Sequence, residues 1–262
     1  LRGPKRAWVG HFTHRAPDHI DVAAVRARYF AEAIEWFDAY LRRDPAALRR
    51  VAARPKAVVQ QSDGRWRGDT AFPPKDARPA AFALRNGSYY EDPTEDGKHP
   101  KPANVLWSIG QRLPYAVHLS GAPRVSLSAV GAGPAQVVVK VYDVAPNGDA
   151  RMVSRAVHAN VQGKVAFDLY PTDWRFRPGH RIAFSVQGNE PFWSLPQQLG
   201  GLRPARGENV AVSGAVLSAP MLTRDRRSFL FDKPLDLDPE QTLSAATIQA
   251  GATTFRLPPR LR

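Results

Sequence analysis

The chain has 262 residues, of which 43% are hydrophobic and 10% aromatic, a composition that is ordinary for a globular protein and argues against general disorder. It contains no cysteine, which excludes disulfides, thiolate metal sites and a cysteine nucleophile. The formal net charge is +13, yet the arginines are scattered as singles and pairs without a long basic run, so we expect no nucleic-acid partner.

A short strand, a histidine-bearing loop and a long helix are predicted near the amino end. Residues 6–9 (Arg-Ala-Trp-Val) favour the strand, and Asp21 is a suitable N-cap for a helix over 22–43 that Asp44-Pro45 ends. The apolar positions of that helix follow the spacing of one buried face: Val22, Val25, Tyr29, Phe30, Ala33, Ile34, Phe37, Tyr40 and Leu41. Because one strand and one helix are too small to fold alone, we expect them to pack on the remaining chain or to end a larger domain.

From residue 55 onward the hydrophobic period changes to two, which is typical of antiparallel strands with one buried face. The Asn147-Gly148 pair predicts a type I′ hairpin turn, and residues 55–235 are therefore predicted to form an all-β sandwich. Within it, 76–103 is expected to be a long surface loop, and 236–262 a tail on the surface or a linker. The clearest strands are 124–129, 136–144, 165–170 and 181–186.

The two histidines after the first strand, His11 and His14, allow three interpretations. A metal pair is disfavoured because no glutamate follows in the zinc-protease pattern, and the nearby His19 is separated by Pro17. Two partly exposed loop histidines are the simplest alternative. The third is a general base for a serine nucleophile, since the triad histidine of α/β-hydrolases lies on a loop after the last strand.

Residues 6–14 resemble the strand-Gly-Pro-Trp-small-His segment of the X-Pro dipeptidyl-peptidase and cocaine esterase family of serine hydrolases. Gly10 matches the family glycine, Phe12 the aromatic residue, Thr13 the small residue and His14 the triad histidine, whereas His11 stands at the proline position. The resemblance extends to about residue 231 through five further segments in family order: 35–42 (EWFDAYLR), 60–74 (QQSDGRWRGDTAFPP), 119–129 (LSGAPRVSLSA), 141–150 (VYDVAPNGDA) and 167–186 (FDLYPTDWRFRPGHRIAFSV).

The resemblance implies a mainly β fold, a jelly-roll (galactose-binding-like) β-sandwich preceded by the C-terminal remnant of an α/β-hydrolase domain. The implied domains are 1–54 for the hydrolase remnant, 55–235 for the sandwich and 236–262 for a tail. It also implies that the chain is the C-terminal portion of a serine hydrolase acting on peptide, amide or ester bonds, with His14 as the catalytic base. The sandwich itself would be non-catalytic and would cap the substrate pocket. No metal or cofactor is implied.

Two members of the expected triad are absent from the sequence. No Gly-x-Ser-x-Gly motif occurs, and residues 1–9 contain no Asp or Glu that could precede the histidine as the triad acid. We therefore expect the chain to be inactive alone and to require an upstream hydrolase segment as its partner. The sequence also carries no apolar run of the roughly 20 residues that cross a bilayer, so no membrane partner is expected. Residues 1–9 carry no secretion leader, so any such signal is absent or lies upstream, and the compartment is left open.

Several other polar and aromatic residues are expected to be structural. His180 is predicted at a turn that leads into a strand. The tryptophans are predicted in the sandwich core or at a domain interface: Trp66, Trp107, Trp174 and Trp193. The carboxylates are predicted at turns or on outward faces: Asp143, Asp168 and Asp173. Two other functions remain open, a stand-alone β-sandwich that binds carbohydrate or another ligand, and a basic interaction protein.

Overall fold

The chain folds into two compact units. The computed structural model describes residues 3–11, 22–95, 100–190, 207–233, 242–243 and 251–262. The first unit, here called the α/β unit, comprises residues 1–75 with 226–237, and the second, the sandwich unit, comprises 76–225 with 238–262. No helix in the described part of the chain is both long and apolar enough to cross a membrane.

The described residues of the α/β unit form three strands and two helices. The strands form a sheet in the order β1-β2-β3, in which β1 runs parallel to β2 and β2 antiparallel to β3. Both helices lie in the connection between β1 and β2, which is the crossover that a parallel pair requires. The bounds are β1 Ala7–Val9, α1 Ala23–Tyr40, α2 Pro45–Ala53, β2 Ala57–Gln60 and β3 Trp66–Asp69.

The predicted strand and long helix are confirmed as β1 and α1, but the predicted buried face is only partly buried, because Phe30, Ile34, Phe37, Tyr40 and Leu41 are exposed. The interpretation of Asp44-Pro45 as a helix stop missed α2. The Asp44 side chain accepts a hydrogen bond from the Ala46 N–H at 2.8 Å, and Pro45 occupies the first helical position. Both are favoured at a helix start, because the carboxylate pairs one of the free N–H groups and proline has none to lose. The N-cap of α1 is Val22, which forms no side-chain capping bond, instead of the predicted Asp21, which lies outside the described residues.

The core of the α/β unit forms where α1 packs on the three-stranded sheet. Val25 of α1 contacts Val58 of β2 and Trp66 of β3, all fully or nearly fully buried. Trp8 of β1 meets Tyr29 of α1 edge to face, with ring centroids 5.3 Å apart. Trp66, expected in the sandwich or at a domain interface, therefore belongs to this small core.

The sandwich unit is built from antiparallel strands in two sheets, which confirms the predicted mainly β fold. One sheet has the order β15-β10-β9-β13-β6 and the other β11-β8-β14-β7-β12, with β4 and β5 also paired to β14. The strands are β4 Arg78–Ala83, β5 Gly87–Glu91, β6 Val105–Ile109, β7 Val117–Gly121, β8 Arg124–Val130, β9 Ala135–Val144, β10 Ala150–Val161, β11 Gly163–Asp168, β12 Thr172–Phe176, β13 Arg181–Gln187, β14 Glu208–Met221 and β15 Thr242–Leu243.

The main core lies between the two sheets, and β9 shows how the sequence builds it. Val139 and Val141 point into this core, whereas Tyr142 and Val144 point to the opposite face of the same sheet. There they join a second apolar cluster that includes Trp107. Both faces of β9 are therefore buried, which explains its continuous apolar run.

Residues 76–103, predicted to form a surface loop, instead contribute β4 and β5. These strands pair with the two halves of the long strand β14. The register of β14 against β8 shifts between Ser213 and Val216, where Gly214 has a φ of 60°. This bulge bends the strand between its two partners. The loop prediction was wrong because prolines and charged residues are typical of loops, and these short, half-exposed strands contain both.

The hairpin between β9 and β10 and the carboxyl-terminal segment also differ from expectation. Within 145–149, all of which the structure describes, Gly148 alone has a positive φ, so the loop is not the predicted type I′ turn. Its Ala145 N–H bonds to the Asp149 carbonyl, which makes a longer loop. In the segment predicted as a surface tail or linker, Leu243 and Phe255 are buried in the two apolar clusters of the sandwich unit.

Candidate functional site

The loop that carries the candidate histidines begins at the carboxyl end of β1. The register pairs Val9 with Val59 of β2, and the next residue of β2, Gln60, is buried. The Gln60 side-chain oxygen accepts a hydrogen bond from the His11 N–H at 2.9 Å. The start of the loop is therefore fixed to the sheet by Gln60, a residue for which the sequence predicted no role of its own. His14 and His19 lie outside the described residues.

A buried glutamate, Glu32 of α1, organises the polar side of the α/β unit. It binds the Arg28 Nε at 2.9 Å and the Arg54 Nη1 at 3.0 Å through one oxygen. Its other oxygen binds the Arg6 Nη2 at 2.7 Å and accepts a hydrogen bond from the Trp8 indole N–H at 3.1 Å. Because a buried carboxylate is costly unless paired, these contacts lock β1, α1 and the residue after α2 together.

A second glutamate, Glu35, extends this network on α1. It binds the guanidinium groups of Arg50 and Arg54 through its two oxygens. Burial by itself would raise the pKa of Glu35, but the hydrogen bonds from Arg50 and Arg54 outweigh it and hold the pKa below its ordinary value. The helical pattern predicted an apolar face for α1 but carried no sign of this charged one.

The sandwich unit contains a polar cluster around Asp143 that corrects the prediction of a turn or outward-facing carboxylate. Asp143 is buried and accepts hydrogen bonds from the Trp174 indole N–H at 2.9 Å and from the His180 Nδ1 at 2.7 Å. The structural role predicted for His180 fits this contact. Trp107 and Trp174 are core aromatics as predicted, and Trp193 lies outside the described residues.

Asp173 is likewise buried rather than outward-facing, whereas Asp168 is exposed as predicted. The Asp173 carboxylate lies 2.7 Å from the Nε2 of His118, and both side chains are fully buried. This pair joins β12 to β7 without any exposed surface, so its geometry suits the packing of strands rather than nucleophilic catalysis, which needs access to substrate. Asp168 forms an exposed ion pair with Arg124.

A third buried group joins three charged residues in the sandwich unit. Glu190 binds the Lys140 Nζ at 2.7 Å and the Arg155 Nη1 at 3.1 Å, and both Lys140 and Glu190 are fully buried. The sequence did not predict this ion-pair group, because the three residues are far apart in the chain and form no motif. In the described residues there is no group of three or more His, Asp or Glu side chains that could hold a metal ion.

The family model for the C-terminal non-catalytic domain of X-Pro dipeptidyl-peptidases matches residues 49–224. The chain belongs to this family. The match begins in α2, covers β2 and β3, and extends through β14 into the turn after it. It therefore confirms the resemblance to the family, and it does not reach the segments 6–14 and 35–42. A search of curated protein sequences found no match.

Solved structures of hydrolases share the fold at low sequence identity. An aminopeptidase from a marine sediment Thaumarchaeota archaeon superposes with a TM-score of 0.55 at 15% identity, over 72% of this chain and 43% of that one. An alpha-amino acid ester hydrolase superposes with a TM-score of 0.53 at 18% identity, over 71% of this chain and 44% of that one. A CocE/NonD family hydrolase from Staphylococcus aureus superposes with a TM-score of 0.54 at 12% identity, over 74% of this chain and 46% of that one. The chain spans less than half the length of each of these proteins.

Proposed function

We propose that this chain is the C-terminal portion of a serine hydrolase that cleaves peptide, amide or ester bonds. In this proposal the chain supplies His14 as the general base, and the sandwich unit caps the substrate pocket. The nucleophilic serine and the triad acid belong to an upstream hydrolase segment. The similar structures include an aminopeptidase and an ester hydrolase, which supports both substrate classes without choosing between them.

The observation that carries the proposal is the parallel crossover in the α/β unit. Every other pair of strands among the described residues is antiparallel, whereas β1 and β2 are parallel and joined through α1 and α2. Parallel strands with helical crossovers are the repeating unit of α/β domains, not of β-sandwiches. The α/β unit, in which β2 and β3 lie together with residues 1–54, thus supports the interpretation that this chain carries the end of an α/β-hydrolase domain.

The position of the histidine loop supports the same conclusion. In α/β sheets, ligands bind beyond the carboxyl ends of the strands, and His14 follows the carboxyl end of β1 by five residues. In α/β-hydrolases the triad histidine follows the serine and the acid in chain order, which agrees with a histidine near the start of this C-terminal portion. An imidazole there would take the proton of the serine hydroxyl and return it to the leaving group.

Covalent labelling tests the proposal. The chain would be produced alone and also joined to its upstream hydrolase segment, and both would be treated with a serine-directed fluorophosphonate. We expect labelling of the joined protein and none of the chain alone. A His14→Ala variant of the joined protein should label at least about 1,000-fold more slowly, because the serine then lacks its base. Labelling of the chain alone, or full labelling of the variant, would refute the proposed role.

A further inference from the structure

One side of α1 carries large apolar side chains that nothing in the described part of the chain covers. Phe30, Ile34, Phe37 and Leu41 are 43%, 62%, 58% and 73% exposed. They are spaced four, three and four residues apart, so they line up along one side of the helix. We call these four residues the apolar stripe.

The other sides of α1 already have partners. Val25 and Tyr29 face the three-stranded sheet, and Ala39 packs with Ala47 and Val51 of α2. The helix therefore has a charged side with Glu32 and Glu35, an apolar side packed on the sheet, and the exposed apolar stripe as a further side. A surface helix normally turns one apolar side to the core and polar residues to solvent, so the stripe is apolar surface that the core of the α/β unit does not use.

A cleft adjoins the apolar stripe and contains an unsatisfied buried donor. It has a volume of about 360 Å³ and is lined by Phe37 of the stripe together with Arg6, Trp8, Tyr29 and Trp36. The Arg6 side chain is only 9% exposed, and its Nη2 is 2.7 Å from Glu32. Its Nε is buried and lacks a hydrogen-bond partner among the described residues. Such an orphaned donor is costly, so an acceptor is expected in the complete protein.

The charged residues that line the cleft are Arg6 and Glu32. Glu32 also binds Arg28 and Arg54, so three arginines share this one carboxylate and the wall has an excess of positive charge. Burial lowers the pKa of Arg6, and this effect outweighs the attraction of Glu32, which would raise it. The residues around Arg6 therefore do not fully compensate the charge of its guanidinium group. A partner with an acidic or carbonyl oxygen complements this wall, whereas a second copy of the chain would bring the same positive cluster opposite it.

We infer that the apolar stripe binds an amphipathic α-helix of the upstream hydrolase segment, which also places an acidic side chain or a helix-end carbonyl against Arg6. This inference rests on the proposed function, because that function supplies the segment. The spacing of the stripe is that of a helix–helix seam, in which side chains from two helices interlock. The similar solved structures are more than twice as long as the shared part, so the corresponding proteins contain ample chain to cover it.

The test divides the hydrolase at residue 1 and measures binding between its two parts by calorimetry. Ile34→Asp and Phe37→Asp in this chain should each raise the Kd about 100-fold, because each places a charge in an apolar contact. Ala31→Asp is the matched control, an exposed position on α1 outside the stripe, and should change the Kd by less than about threefold. Arg6→Lys keeps the charge beside Glu32 but removes the Nε donor, and should raise the Kd about 10-fold.

The stripe variants also provide a control for folding. Since their side chains are exposed in the chain alone, its thermal unfolding midpoint should not fall on replacement by Asp, and the chain should be monomeric by light scattering. Failure of the wild-type parts to bind, or equal binding by the stripe variants, would overturn the inference. A dimer of the chain alone that Ile34→Asp dissociates would also overturn it. Fluorophosphonate labelling of the undivided protein tests the proposed function separately, so the two can fail independently.

Discussion

The indole N–H of Trp174 donates a hydrogen bond of 2.9 Å to the Asp143 carboxylate, although the two residues lie on strands of different sheets. Trp174 is on β12 and Asp143 on β9, so this bond crosses from one layer of the sandwich to the other. The second oxygen of Asp143 binds the Nδ1 of His180, which lies in the turn between β12 and β13. One buried carboxylate thus joins both sheets and the connection between them.

Replacing Asp143 should destabilise the sandwich unit. Asp143→Leu keeps the approximate volume but removes the acceptor that Trp174 and His180 share, so we expect a loss of about 2–4 kcal/mol in the free energy of unfolding. Asp168→Leu removes an exposed ion pair with Arg124 and should cost less than about 1 kcal/mol. Urea denaturation of both variants measures the difference. Equal stability of the two would show that the cross-layer bond contributes little.

The buried charges around Glu190 provide a second prediction. Glu190→Gln removes the counter-charge of the fully buried Lys140 and should cost about 3–5 kcal/mol. Adding Lys140→Met should recover part of this loss, because the uncompensated charge is then gone. Denaturation of the single and double variants forms the test, and a single variant as stable as the wild type would contradict it.

The carboxyl-terminal segment should behave as part of the core. Phe255 packs against Phe82 and Phe184, with ring centroids 5.3 and 5.4 Å away. Phe255→Ala should therefore cost about 3–5 kcal/mol in the chain alone. Phe30→Ala, which truncates an exposed ring of the apolar stripe, should cost less than about 1 kcal/mol. A thermal melt distinguishes the two, and similar losses would contradict the burial difference.

The pH dependence of stability should report on Glu35. Its pKa is lowered in the folded chain, so its contribution is fully present above the unfolded pKa of about 4.3 and is lost as the pH falls through the folded value. The wild type should therefore exceed Glu35→Gln in stability at pH 7, and the difference should shrink at pH 3. A difference that stays constant, or grows on acidification, would mean that the arginines do not stabilise the ionised carboxylate.

The sequence predicted the strands whose hydrophobic period is clear and the helix with a long apolar pattern. It failed where a residue type has two roles. Asp44-Pro45 can stop a helix or start one, and the choice depends on how the neighbouring residues pack. Phe255 lies among polar and proline residues, and only its contacts with distant strands show that it is core. Such long-range contacts have no local signature.

The candidate site was predictable only through a resemblance between motifs. Spacing by itself left His11 and His14 open to three interpretations, and the family pattern favoured His14. The supporting contacts, from Gln60 to the loop and from the arginines to Glu32, join residues far apart in the sequence. The alternating pattern predicts turns or outward faces for Asp143 and Asp173, because it describes one strand at a time and contains no information about hydrogen-bond partners on other strands.

The direct measurement of the central claim is the turnover of an activated ester by the joined hydrolase carrying single histidine replacements. His14→Ala should lower kcat/KM by about 10,000-fold, as expected for loss of a triad base, whereas His11→Ala should retain most of the activity. If His11→Ala abolished turnover and His14→Ala did not, the assignment of the base to His14 would be wrong. If neither replacement lowered the rate, this chain would not supply the base at all.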